Sequence, residues 1–296
     1  MFELYYKLAD LFRGTYTGTF IATLFKYTCQ IGPYFLIAVL INAVLKQLLT
    51  SKKMPSFHIS PALAIPAAGL FGMLSPMPTY LALPLGLSLL SSHVPFGTVA
   101  AFVIASPLLN PGIFILTLSQ LGWTIALARL FSVLLLSVLG GFLVQVFSPR
   151  LPLVQDKESK KQPERRSFKT EFVRSLRYMS KYFIIALVLA SFVRAFVPET
   201  MIARLFGGHA GMGLIAAMAM GVPFYTCGGA AIPLVRVLSE MGMHQGAVLT
   251  FLLSGPATKL ETLAVSKSLL GFKWMFLYLG YSLAGSLVCG GLLYLF

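Results

Sequence analysis

Residues 221–271 read GVPFYTCGGAAIPLVRVLSEMGMHQGAVLTFLLSGPATKLETLAVSKSLLG. Two apolar runs are each broken at a Gly/Pro knot, one from Pro223 to Gly229 and one at Gly255-Pro256. Lys259 and Glu261 follow the second knot at once, with apolar residues on both sides. A soluble core helix gains nothing from that pattern. In a membrane, a broken helix frees N–H and C=O groups that lipid cannot satisfy, so the break must be buried in protein or line a polar cavity. Breaks near mid-bilayer are where transporters build binding sites.

The pattern occurs once before. Residues 72–122 align without a gap on 221–271, an offset of 149, with 12 of 51 positions identical. Gly72, Pro84, Leu85, Gly97, Phe102, Pro107 and Gly122 match Gly221, Pro233, Leu234, Gly246, Phe251, Pro256 and Gly271. Five of the matches are Gly or Pro, the residues that set backbone shape. With a one-residue slip, Tyr34–Ala38 also resembles Tyr182–Ala186.

Composition sets the class. Of 296 residues, 57% are apolar and 11% charged, against about 45–50% and about 25% in soluble domains. Apolar blocks long enough to span a bilayer recur throughout, so the chain reads as an all-α polytopic membrane protein. The net charge of +14 comes from basic residues at block ends and in one linker. That is the pattern of cytoplasmic loops and anionic-lipid contact, not of nucleic-acid binding. Cys29, Cys227 and Cys289 share no metal-ligand or disulfide spacing. The N-terminus lacks the features of a cleaved signal peptide.

Along the chain, residues 1–18 predict an amphipathic helix on the membrane surface. Half one follows at 19–147, with blocks near 19–49, 58–90, 94–120 and 123–147. A basic, Pro-containing linker covers 148–171, and half two, at 172–296, repeats the four blocks. Lys52-Lys53 and the linker both carry cytoplasmic charge, so the first block of half one ends inside while that of half two begins inside. Each half then crosses an odd number of times, which makes the halves an inverted repeat with the C-terminus outside. The spacing predicts about eight to ten transmembrane segments in all, with broken or re-entrant helices at the centre.

Site candidates lie at the breaks. Thr226, Cys227, Gly228 and Gly229 precede a half-helix whose first N–H groups suit an anion or electron-rich group, and Cys227 adds a soft sulfur. A Gly-packed crossing with an inert cysteine is the structural alternative. Thr258, Lys259 and Glu261 place ionisable groups inside an apolar block, a functional signal unless Lys259 snorkels to an interface. Half one offers Ser75, Pro76, Tyr80, Ser106 and Asn110. Asn110 aligns with Lys259 and Pro78 with Cys227, so charge and sulfur are expected in half two and neutral polar groups in half one. Methionines near the breaks fit adaptable packing better than a soft-metal path. His93 and His244 fall at matching block ends. No HExxH, GxSxG, P-loop or paired-aspartate motif is present, so an enzyme is not expected and no cofactor is implied.

The segments CGGAAIPL (Cys227–Leu234) and GPATKLETLAVSKSLLG (Gly255–Gly271), with SPMPTY (Ser75–Tyr80) and SPLLNP (Ser106–Pro111), resemble the signatures of predicted bacterial permeases related to the ArsP organoarsenical efflux permease. The resemblance covers most of the chain. It implies an inner-membrane permease of two related halves and, in characterised relatives, export of trivalent organoarsenicals by cysteine coordination. Pro78 stands where relatives commonly carry a cysteine. The expectation is therefore a permease moving a small molecule or ion by alternating access, possible cargoes being a soft metalloid, an organoarsenical or a small anion. A non-transporting membrane subunit is the competing reading. The bilayer is an implied partner; nucleic acid is not.

Overall fold

The computed structural model describes residues 15–51, 60–75, 95–147, 168–207, 210–224 and 231–295. These residues form helices and short connections, with no strand among them. In half one the helices are α1 (Tyr16–Ser51), α2 (Pro61–Leu74), α3 (Phe96–Leu108) and α4 (Pro111–Phe147). In half two they are α5 (Phe168–Phe196), α6 (Glu199–Gly207), α7 (Ala210–Phe224), α8 (Ile232–Glu240), α9 (Gln245–Thr258), α10 (Leu260–Leu270) and α11 (Phe272–Tyr294). The surface helix expected before residue 15 and most of the expected linker lie outside the described residues. Helix α5 starts at Phe168, inside the stretch assigned to the linker.

Among the described residues four helices are long and apolar enough to cross a membrane, Tyr16–Val44, Pro111–Phe147, Phe168–Phe196 and Phe272–Tyr294, or five if the bent pair α6–α7 counts as one span. The other apolar blocks are short. Helices α2, α3, α7 and α9 have 14, 13, 15 and 14 residues, below the roughly 20 that span the hydrocarbon core. Helix α6, which the sequence reading did not anticipate, meets the start of α7 at 112°.

The repeat register is kept in the backbone. Helices α2, α3 and the 111–121 arm of α4 recur at an offset of 149 as α7, α9 and α10, with ends agreeing to about one residue. Gly122 splits α4 with φ 81 and ψ 178. Gly271, its counterpart between α10 and α11, has φ 84 and ψ 171. Nothing lies within 4 Å of a Cβ built on either, so glycine is required there by conformation, not by crowding.

Side-chain-free crossings also repeat. A Cβ on Gly97 would lie 2.4 Å from the Gly141 carbonyl oxygen, and one on Gly246 would lie 2.4 Å from that of Gly290. Gly72 packs on Phe102 and Ala105, as Gly221 packs on Phe251 and Ser254. Each glycine pair lets two helices approach to backbone distance, the usual device for helix packing where lipid removes the hydrophobic drive.

These contacts fix directions. Gly97 meets Gly141 and Gln145 near the Phe147 end of α4, Ile104 meets Gly140, and the 111–121 arm ends at Gly122 beside Trp123. The stretch 96–121 therefore runs the length of 123–147 as one crossing broken midway, at Leu109–Asn110. By the same reasoning 245–270 runs the length of α11 and breaks at Lys259. Helix α2 points the same way as α3: Ile65 touches Gly141 while Gly72 reaches Phe102. It stops at half depth, with its cap Ser75 fully buried. Helix α7 runs beside α9 in the same sense, from Leu214 at Gly290 to Gly221 at Ser254.

Two repeat-related pairs pack antiparallel. Gly140 meets Tyr281 and Gly285 meets Leu136, so 123–147 runs against α11. Tyr16 stacks on Phe196 at 5.6 Å and Phe35 on Phe183 at 4.1 Å, so α1 runs against α5. One buried cluster joins α1, α5, α8 and α9; another joins Met73, Leu108, Leu109 and Ile113 of half one to Leu249, Leu253 and Cys289 of half two.

Candidate functional site

The two midway breaks are built differently. In half one, Leu109 is extended (φ −149, ψ 142). The Asn110 Oδ1 accepts from the Ile113 N–H at 2.9 Å, which caps the 111–121 arm. Pro111 occupies its first position, where a missing N–H costs nothing. In half two, Lys259 (φ −56, ψ 128) is at once the end of α9 and the cap of α10. An ammonium has no acceptor, so α10 begins without a side-chain cap. A cation at a helix N-terminus also opposes the helix dipole. The sequence has placed there a residue that local structure disfavours.

The neighbouring hydroxyls serve the backbone. Thr258 Oγ1 donates within 3.1 Å of the Ser254 and Gly255 carbonyl oxygens, and Thr262 Oγ1 reaches back over the break to the Pro256 carbonyl at 3.5 Å. Ser106 is buried within α3. Ser75 Oγ is buried with no hydrogen-bond partner.

Above the half-one break lies a residue that the sequence reading passed over. Arg129, on the 123–147 arm, is fully buried. Its guanidinium donates to Thr117 Oγ1 and the Leu108 carbonyl, both at 3.0 Å, and to the Leu252 carbonyl at 3.4 Å. Leu108 ends α3, so its carbonyl has no helical partner of its own. Leu252 belongs to α9. One cation thus satisfies the broken helix of half one and ties it to half two. The expectation that charge sits only in half two is corrected by this contact. The available signal was a single arginine inside an otherwise uncharged 25-residue block, 123–147, and intramembrane charge is functional by default.

Between the halves, at the Phe147 end, lies a cavity of about 440 Å³. Half one lines it with α3 (Phe96 to Ile104) and α4 (Gly140 to Phe147), half two with Thr262 and Ser266 of α10 and Lys273 to Tyr281 of α11. The walls are apolar and aromatic. Thr262, Ser266, Tyr278, Tyr281 and Lys273 supply the polar groups, and Trp274 meets Phe96 edge-on at 6.0 Å. Shifted by 149, the lining positions fall at the opposite end and describe a packed region. Val103, Ile104, Gly140, Ser266 and Tyr278 become Leu252, Leu253, Cys289, Thr117 and Arg129. Leu253 and Cys289 are core residues, and Arg129 bonds Thr117 and Leu252.

Of the residues singled out from sequence, Ser75, Ser106 and Thr258 are buried, and Asn110 and Lys259 are half-buried at the breaks. Glu261 falls in the first turn of α10, and its side chain is outside the described residues. Pro76, Tyr80, Thr226, Cys227, Gly228 and Gly229 also lie outside them. Among the described residues no group of three His, Cys, Asp or Glu could hold a metal.

Long apolar helices, broken helices and backbone-close glycine crossings are built for a membrane, and the family comparison agrees. The family described as predicted permease (ArsP_1) matches residues 17–295. The chain belongs to this family. The permease is also similar to a UPF0718 protein of Methanocaldococcus jannaschii, 28% identical over 115 residues, which are 39% of this chain and 32% of that relative. No solved structure matches. It is thus a multi-pass membrane protein of a family described as permeases.

A second polar network joins the permease's halves. Tyr27 of α1 donates to Glu240 of α8, whose other oxygen takes Arg236 Nε at 2.7 Å. Arg236 also donates to the Gln120 carbonyl, next to the Gly122 turn. As with Arg129, an arginine supplies the hydrogen bonds that a broken helix has lost. His244 caps α9 by accepting from Gly246 N–H at 3.1 Å and stacks on Tyr294. That is a structural use for a residue read from sequence as interfacial.

Proposed function

We propose that this permease moves a small solute by alternating access between two inverted halves, with no catalytic step. The observation that carries the reading is the inequality of the two ends. Helices of the two halves keep one register, α1 against α5 and 123–147 against α11 pack antiparallel, and the described residues leave space at the Phe147 end while packing closely at the other. Two frames of one shape, held in unequal arrangements, can exchange arrangements and so move the opening across the protein. The basic linker after Phe147 supports a cytoplasmic position for that end in an inner membrane, which would make the arrangement inward-facing.

The solute would meet the breaks at half depth: Ser75, Pro76, Tyr80 and Ser106 from half one, Thr226 to Gly229, Lys259 and Glu261 from half two. Asn110 and Thr258, proposed as ligands from sequence, are occupied in holding the backbone. Lys259 beside the N-terminus of α10 suits a solute with an anionic or electron-rich group. A second reading, efflux of a soft metalloid or organoarsenical, rests on Cys227 in the half-two break and on the family resemblance.

A thermal-shift screen on purified protein separates them, since bound solute stabilises the folded state by mass action. Methylarsenous acid, soft metal ions, phosphate and small carboxylates would be compared on wild type, Lys259→Ala and Cys227→Ser. Stabilisation by an anion, lost only in Lys259→Ala, is the expected result. Stabilisation by the arsenical, lost only in Cys227→Ser, selects the second reading. If no compound binds and Lys259→Ala behaves as wild type in cells, the subunit reading gains.

A further inference from the structure

Arg129 and Tyr278 occupy the same place in the two halves, 149 positions apart. Arg129 closes the far end by donating to Thr117 and to the Leu252 carbonyl. The counterparts of those acceptors are Ser266 and Val103, and both line the open groove together with Tyr278. The Tyr278 hydroxyl is buried and makes no bond across the groove in this arrangement; the Ser282 hydroxyl, one turn on in its own helix, is its neighbour. It is a donor already placed beside the groups it would need.

We propose that Tyr278 is the gate residue of the Phe147 end. When the halves exchange arrangements, its hydroxyl donates to Ser266 or to the Val103 carbonyl and holds the groove shut, as Arg129 now holds the opposite end. The two gates work in alternation. In the inward-facing state Arg129 holds its end through Thr117 and the Leu252 carbonyl while Tyr278 makes no bond across the groove; in the outward-facing state the roles reverse. No proton or bond changes hands; one set of hydrogen bonds replaces another. The different chemistry of the two gates follows from what each closes. The Arg129 end carries the unsatisfied Leu108 carbonyl, which wants a multi-donor cation. The groove end has room for a planar ring among Phe96, Trp274 and Tyr281.

The proposal rests on the alternating-access reading and gives it opposite signs to test. The chain has two tryptophans. Trp123 sits exposed at the far end, and Trp274 lines the groove. In a Trp123→Phe background, acrylamide quenching of Trp274 in phosphatidylglycerol/phosphatidylethanolamine vesicles therefore reports how open the groove is. Tyr278→Phe removes the closing bond, so the open form gains and quenching rises. The open-to-closed ratio should grow about fivefold for one lost hydrogen bond. Arg129→Met releases the opposite end, so the groove closes more often and quenching falls. Thr117→Val removes one of the Arg129 contacts, keeps the buried guanidinium, and serves if Arg129→Met does not fold. Quenching unchanged by Tyr278→Phe, with the Arg129 or Thr117 variant still lowering it, overturns the gate and leaves alternating access standing. No response to any of the variants overturns both.

Discussion

The breaks at Asn110 and Lys259 occupy the same point of one repeated frame, and they solve the same backbone problem in unequal ways. Asn110 caps the helix that follows it. Lys259 cannot, and its helix starts uncapped. Duplicated geometry has been kept where glycine and proline enforce it, as in the matching turns at Gly122 and Gly271, while chemistry has been free to diverge at the residues those turns present. The half-one break is finished as structure, with its cap in place and its last carbonyl bonded by Arg129. The half-two break has no side-chain cap and carries a cation at the start of its helix.

The strongest test of the shared frame is steric. Gly246→Val or Gly97→Val forces a side chain onto a backbone carbonyl, and each should cost about 3 kcal/mol or more, seen as loss of monodisperse protein in detergent. If one half tolerates the change and the other does not, the frames are less alike than their contacts imply. Next, Arg129→Leu should destabilise by about 3 kcal/mol in a denaturant titration, because it strips the Leu108 and Leu252 carbonyls of their donor. Arg129→Lys should recover only part of that, a single ammonium being unable to reach three acceptors in that geometry.

The two breaks themselves give the sharper contrast. Asn110→Ala should cost about 1 kcal/mol by loss of the cap and leave solute binding intact. Lys259→Asn should do the reverse, gaining up to about 1 kcal/mol from a new cap while abolishing any anion-dependent thermal shift. Smallest of all, Glu240→Gln keeps the shape of the Tyr27–Glu240–Arg236 network and removes its charge, for an expected loss of about 1 kcal/mol in the melting measurement.

The breaks were legible in the sequence because glycine and proline act on the backbone locally, and the repeat was legible because such residues keep register. That is why Leu109–Asn110 and Lys259 fall where the pattern put them. Three things were not legible. One apolar run can cross or stop halfway with the same composition; only the contacts of Gly72 and the extended cap at Ser75 show that α2 ends at half depth. Arg129 lies in the smoothest apolar block of half one, where periodicity gives no hint that its side chain turns inward to a broken helix. Which hydroxyls would be taken up by the backbone was equally hidden. Thr258 reads as a ligand until its bonds to Ser254 and Gly255 are seen.

The antiparallel packing of α1 against α5 carries a consequence for biosynthesis. The insertion machinery meets nearly the same hydropathy twice, and it must thread the two passages in opposite senses. Apolar pattern cannot instruct that choice; flanking charge must. Lys52-Lys53 after α1, and Arg174, Arg177 and Lys181 at the start of α5, bracket the same end of the pair. Neutralising one bracket while keeping the other would leave a ribosome product with the correct helices and the wrong handedness of assembly.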